Sequence, residues 1–164
     1  MLSKTIQNAL NEQINKEMYS SYLYMSMATH CVEHNHLGFA SWLRVQSREE
    51  WSHAMKLYNY IHNDGGHVEL DTIEKPAVKF KSPKDIFVQV LAHEQTVTAS
   101  ITKLYELAMK EKNYPTQILL QWFITEQVEE ENTAKMILDK LTLIGENVPG
   151  LLYLDKELGK RAAK

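Results

Sequence analysis

Apolar residues recur along this chain in steps of three and four through four long segments, the spacing of one buried helical face. In the first segment, about 3–32, the stripe is Ile6, Leu10, Ile14, Glu17, Ser21, Tyr24, Ala28 and Cys31. In the second, 38–64, it is Phe39, Leu43, Gln46, Glu50, His53, Leu57 and Tyr60. The third, 83–112, carries Phe87, Val90, Glu94, Val97, Ile101, Leu104 and Ala108. The fourth, 115–145, carries Leu120, Phe123, Gln127, Glu130, Ala134, Ile137, Leu141 and Ile144. A short fifth helix is predicted over 150–159.

The punctuation agrees with the periodicity. Gly65-Gly66 stops the second helix, since glycine allows the left-handed turn at a helix C-terminus. Ser82-Pro83-Lys84-Asp85 starts the third, with Ser82 as cap and Pro83 at the first position. Between them, 66–82 lacks helical period and contains Pro76, so it reads as a long connection. At ~3.3 Å per residue it reaches more than about 50 Å, whereas a 28-residue helix is only about 42 Å long. The third helix can therefore start beside the start of the second. The expectation is an all-α bundle forming one domain over 1–164.

Each stripe contains the same anomaly at the same depth. Glu17, Glu50 with His53, Glu94, and Gln127 with Glu130 all sit near the midpoint of their helices, on the face that should be buried. A midpoint keeps its height whichever way a helix runs, so these side chains converge on one layer. Four carboxylates in a core repel one another and are costly to desolvate. No Lys or Arg lies on any of the four stripes to neutralise them, and protonating all four would be an unrewarded cost. Two divalent cations would cancel the charge and use the oxygens as ligands. Carboxylates with Glu-x-x-His motifs inside a bundle are the donor set of di-iron and di-manganese proteins. Glu50-x-x-His53 is one complete motif, while the fourth helix offers Gln127-x-x-Glu130 instead. One metal thus keeps a nitrogen ligand and the other is held by oxygens, so the second should bind more weakly.

Beside this layer, Glu49, Glu126 and Glu129 each precede a stripe position by one and are rotated ~100° off the core face. Spacing alone favours a solvated acidic face; the alternative is a third metal position on a route out of the site. Tyr24, on the stripe of Glu17, reads as packing or as a donor to bound oxygen. Trp122 reads as packing, Met18, Met25, Met27 and Met55 as core filler, Cys31 as inert, and His30, His34 and His36 as surface residues; His93 points off its stripe.

The composition narrows the class further. Hydrophobic content of 44% with 24% charged residues is that of a globular protein, and a formal net charge of −3 points away from nucleic acid as partner. One cysteine excludes an internal disulfide framework. Met1 to Thr5 lack a signal peptide's apolar core, and no run reaches the ~18 apolar residues of a membrane span. A cytoplasmic location, away from membranes, is expected.

Asn11-Glu12-Gln13 leading to Glu17, then Tyr24, Glu49-Glu50-x-x-His53, His93-Glu94-Gln95, Leu120-Gln121-Trp122 and Glu126-Gln127-x-Glu129-Glu130-Glu131 carry a resemblance. From Met1 to about Leu158 the chain resembles a bacterial non-haem ferritin. The resemblance implies an up-down-down-up four-helix bundle with one long crossover and a short fifth helix near a four-fold axis. It also implies a homo-oligomeric cage of twenty-four subunits that oxidises Fe(II) with O2 or peroxide and stores ferric mineral. Site A would be Glu17, Glu50 and His53; site B would be Glu50, Glu94 and Glu130, with Glu50 bridging. A third iron site, C, would use Glu49, Glu126, Glu129 and Glu130. Tyr24 would stand beside site A and Gln127 beside site B. Bacterioferritins would place a haem-ligating methionine at Trp51 and a histidine ligand at Glu130, so no haem is expected. Gln117 and Leu120 stand where animal ferritins have the carboxylates of their three-fold channels, so an acidic entry there is not expected.

Two other readings compete. A di-metal oxygenase or peroxide scavenger is weakened by the short chain, the lack of a Cys-x-x-Cys module and the incomplete second motif. A purely structural bundle leaves the core carboxylates unexplained.

Overall fold

The computed structural model describes residues 2–162 and contains α1 (Lys4–Glu33), α2 (Leu37–Asn63), α3 (Pro83–Lys110), α4 (Tyr114–Ile144) and α5 (Val148–Leu158). No strand occurs among the described residues. Side chains start most of these helices. Ser3, Ser82, Asn113 and Asn147 each accept from a backbone N–H in the first turn that follows, satisfying donors that the helix itself leaves unpaired. The fifth helix opens at Val148, ahead of the expected start, because Asn147 caps it and Pro149 fits the first turn. The third ends at Lys110, short of 112, where Lys112 adopts a left-handed turn (φ 53°).

α2 has no cap of its own. Its Phe39 N–H donates instead to Asp155 Oδ1 of α5 at 2.9 Å. The approach requires glycine at 38, where a Cβ would fall 1.6 Å from the Asp155 carbonyl oxygen. α5 is thereby fastened to the start of α2.

The topology follows from what the connection touches. The segment after α2 runs along α1 from one end to the other: Asn11 donates to the His67 carbonyl, Asn15 to that of Thr72, and Ser26 to that of Ala77, and Phe80 meets His30 edge-on. α3 therefore starts level with the end of α1 and runs antiparallel to it, with Ser20 facing His93 and Gln13 facing Ser100. Short turns make α2 antiparallel to α1 and α4 antiparallel to α3. The result is the up-down-down-up bundle with a short fifth helix.

The core is two apolar clusters. One is built on Phe39, Leu43, Met27, Phe87 and Ile137; the other on Ile6, Leu10, Leu57, Ile101 and Phe123. Between them lies a buried polar layer of Gln13, Glu17, Gln46, Glu50, His53, Glu94, Gln127 and Glu130. Two expectations are corrected here. Met25 is 41% exposed and so is not core filler. Tyr60 is half-buried, because its hydroxyl stops at the Thr116 hydroxyl, 2.8 Å away. Leu120 is fully buried in the second cluster and cannot line a channel, while half-buried Gln117 donates to the Ala108 carbonyl.

Candidate metal centre

Glu17 from α1, Glu50 and His53 from α2, Glu94 from α3, and Gln127 and Glu130 from α4 meet in the polar layer, and all are buried. Three combinations bring one ligand atom from each residue within 4.8 Å of the others: Glu17, Glu50 and His53; Glu50, Glu94 and Glu130; and His53, Glu126 and Glu130. Glu50 belongs to both of the first two.

Each carboxylate is held by at least one neutral donor. Gln13 Nε2 donates to Glu17 Oε1 (2.7 Å). Gln46 Nε2 donates to both Glu50 Oε1 (3.0 Å) and Glu130 Oε2 (2.7 Å). The Tyr24 hydroxyl donates to Glu94 Oε1, so it serves the set of Glu50, Glu94 and Glu130 rather than that of Glu17, Glu50 and His53 beside which it was expected, and Gln127 Nε2 donates to Glu94 Oε2 (3.0 Å). What these bonds leave over is telling. Glu17 Oε2, Glu50 Oε2 and His53 Nδ1 are buried without a hydrogen-bond partner, and they face one another: Nδ1 lies 3.4 Å from Glu50 Oε2 and 3.9 Å from Glu17 Oε2. Three unpaired ligand atoms on two helices outline one side of a cation site. Trp122 and Phe123 meet the imidazole edge-on, at centroid distances of 5.3 and 5.9 Å, and fix its plane.

The electrostatics describe a layer lacking positive charge. Burial, and then the Glu50 charge, lifts the Glu17 carboxyl to about 8. Burial, then Glu94 and Glu130, holds Glu50 well above the ordinary carboxylate range. Glu130 is pushed up to about 7 by burial and by Glu94. Glu94 is raised by burial, against the opposing effect of bonds from Tyr24 and Gln127. Burial likewise carries the Tyr24 phenol well above its usual range, so it stays a donor. Carboxylates and an imidazole are ligands for iron, manganese or zinc, and a divalent pair would restore the carboxylates to their charged form.

The candidates for a third position divide. Glu126 joins His53 and Glu130 in the third combination, but Glu49 and Glu129 enter none of the combinations among the described residues. Glu129 is exposed and lines a shallow surface groove with Thr125, Val128 and Thr133. Glu49 is buried and accepts from Arg161. Trp51 is exposed beside Met18, Tyr22 and Met25. His93 is half-buried: it bonds Ser20 Oγ at 2.7 Å and stands edge-on to Tyr24, and burial alone drops it to about 4. Cys31 is buried with its thiol pushed up to about 12, which makes it inert. His30 is half-buried and stacks on His34 at 4.1 Å.

Sequence reasoning missed three contributors. Gln13 and Gln46 each lie four residues before a ligand-set glutamate, a Gln-x-x-x-Glu spacing that occurs on α1 and again on α2 and was a readable signal. Arg161 lies on no stripe, and nothing local marks it.

A four-helix bundle with one long crossover and a carboxylate-histidine layer at mid-height defines the ferritin-like class. Residues 7–144 match the ferritin model, described as a ferritin-like domain. The chain is 43% identical over 162 residues to a bacterial non-heme ferritin of Staphylococcus epidermidis, covering 99% of this chain and 98% of that one. It is 44% identical over 156 residues to one of Campylobacter jejuni, covering 95% and 93%. It superimposes with a TM-score of 0.99 on a closed form of the Archaeoglobus fulgidus ferritin engineered by site-directed mutagenesis, at 46% identity and full coverage of both chains. The chain belongs to the ferritin family and is most simply described as similar to the bacterial non-haem ferritins. No helix among the described residues is long and apolar enough to cross a membrane.

Proposed function

We propose that this chain is the single-domain subunit of a cytoplasmic twenty-four-subunit iron-storage cage, and that its polar layer is a ferroxidase centre for which Fe(II) is substrate. The observation that carries this reading is the trio of unpaired buried atoms, Glu17 Oε2, Glu50 Oε2 and His53 Nδ1. A structural bundle has no use for them. Glu17, Glu50 and His53 hold the first iron; Glu50, Glu94 and Glu130 hold the second, so Glu50 bridges. Each Fe(II) gives one electron to O2 or peroxide, and the Fe(III) leaves for mineral in the cavity. Iron is cargo here, and haem has no part.

The protein's own contribution is orientation and charge. Gln13, Gln46 and Gln127 turn the carboxylates without adding charge, leaving room for the dipositive ions. The Tyr24 hydroxyl, bonded to Glu94, keeps one proton at the edge of the second position. A third iron would bind along Glu49, Glu126, Glu129 and Glu130 on its way out.

Crystals soaked anaerobically in Fe(II) should show two anomalous peaks per subunit, one among Glu17, Glu50 and His53 and one among Glu50, Glu94 and Glu130. Glu50→Ala should remove both and slow Fe(II) oxidation by at least about 100-fold, the scale set by losing an essential metal ligand. Oxidation at the parent rate would show that the chemistry lies elsewhere. A particle below several hundred kilodaltons on size exclusion would remove the cage.

A further inference from the structure

Arg161 reaches the edge of the polar layer, and it comes from the segment after α5 rather than from the bundle. Its route is fixed at several points. Asp155 caps α2, Gly159 lies 3.3 Å (as a notional Cβ) from the Gly38 Cα, and the chain then follows the face of α2 that carries Trp42, Gln46 and Glu49. These three are spaced four and three apart, so one stripe of α2 forms the berth. The guanidinium lies 4.3 Å over the Trp42 ring. One nitrogen donates to Gln46 Oε1 at 2.8 Å, and the other to Glu49 Oε2 at 2.5 Å. Both ends of the ion pair are largely buried, with 19% and 11% of the side chains exposed.

Two consequences follow from Arg being a donor only. Gln46 must turn its carbonyl towards Arg161, which aims its amide N–H groups at Glu50 and Glu130. And the Glu49 carboxylate has a cation in place already, while its other oxygen, Oε1, is buried without a partner.

We propose that Arg161 is a positioning residue for the iron centre: the resident cation of Glu49, which a third metal ion must displace, and the lock on the Gln46 amide that orients Glu50 and Glu130. This rests on the ferroxidase reading above. The displaced guanidinium would also release Gln46, so that filling the third position loosens the carboxylates of the second. That couples departure of an ion from the second position to arrival at the third.

The test is anaerobic titration of the assembled protein with Zn(II), which binds the same donors without redox chemistry. The parent should take two ions per subunit tightly and a third weakly. Arg161→Gln should tighten the third by about fivefold, the upper end of what such an ion pair contributes. Adding Glu49→Gln to that variant should abolish the gain. Arg161→Lys keeps the charge and the tail but cannot reach both partners, so it should show the same change at about threefold. A third-ion affinity unchanged in both Arg161 variants, with two tight ions still bound, overturns the role of Arg161 alone. So does a gain that survives Glu49→Gln. Fewer than two tight ions in the parent overturns the underlying ferroxidase reading and this inference with it.

Discussion

The two halves of the polar layer share Glu50 and are both rich in carboxylates, but they are finished differently. On the side of Glu17 and His53, three ligand atoms are buried with no partner. On the side of Glu94 and Glu130, both oxygens of Glu94 and one of Glu130 already accept hydrogen bonds. An unpaired buried ligand atom gains a full interaction when a cation arrives, whereas a bonded one must share or give up a donor. The first half should therefore bind metal more tightly, and the second should exchange it. The single imidazole, His53, reinforces the same asymmetry.

Removing one ligand from each half is the strongest way to break this comparison. His53→Ala should weaken the first zinc or Fe(II) by at least about 100-fold, since it removes a ligand outright. Glu130→Ala should abolish the second ion and leave the first within about threefold. Equal losses in both variants, read by anaerobic titration, would mean that the halves are equivalent and the asymmetry only a feature of the metal-free packing.

The second prediction concerns the metal-free protein and pH. Glu17 at about 8 and Glu130 at about 7 both lie above the ordinary 4.5, as do Glu50 and Glu94. Between 4.5 and the raised values, the folded state holds protons that the unfolded chain has lost. Stability is then fully present below 4.5 and is lost as pH rises through the folded values. The melting temperature of metal-free protein should fall from pH 5 to pH 8, by the equivalent of a few kcal/mol for a buried carboxyl shifted this far. Glu50→Gln should flatten that fall and raise the melting temperature at pH 8, although it removes the bridge. Saturating Zn(II) should reverse the trend in the parent, because metal binding displaces the protons. A metal-free protein equally stable at both pH values would show that the carboxylates escape into water.

The layer was legible because helical period places a residue on a face without any knowledge of the partner helix. Glu17, Glu50, His53, Glu94, Gln127 and Glu130 break four apolar stripes at one height, and length alone brings the heights together. Period fails wherever a contact is made across the ends of elements. Arg161 reaches Glu49 through more than a hundred intervening residues and belongs to no stripe, so its pairing follows only from the docking of α5 on Gly38. Glu129 and Glu49 look equivalent by rotation, yet one is exposed and the other buried beneath the tail. Tyr60 shows that a stripe predicts which face is inward, not how far the bundle's apolar interior extends along it, whereas Met25 lies on no stripe and turns outward between buried Tyr24 and Met27.

The smallest expected effect, and the finest test of the comparison, belongs to the amides. Gln13 serves the first half: its Nε2 donates to Glu17 Oε1, and its carbonyl accepts from Ser100 Oγ at 2.7 Å, which fixes the direction of the amide. Gln127 serves the second, donating to the Glu94 carboxylate and, at 3.2 Å, to the Glu94 carbonyl. Both touch carboxylates that would hold metal without being needed as ligands. Replacing either with Leu keeps the volume and leaves a carboxylate to swing. Gln13→Leu should weaken the first ion by about tenfold, at the low end of the usual cost of losing such a support, and leave the second within about twofold. Gln127→Leu should do the reverse, and should weaken the second ion less than tenfold, because the Tyr24 hydroxyl still holds Glu94. Among the described residues Gln13 alone donates a hydrogen bond to Glu17, so the larger loss should fall on the half with fewer donors. If Gln127→Leu proved the more damaging of the two, hydrogen bonding in the metal-free layer would not be what ranks the two positions, and the nitrogen ligand of His53 would have to account for the difference alone.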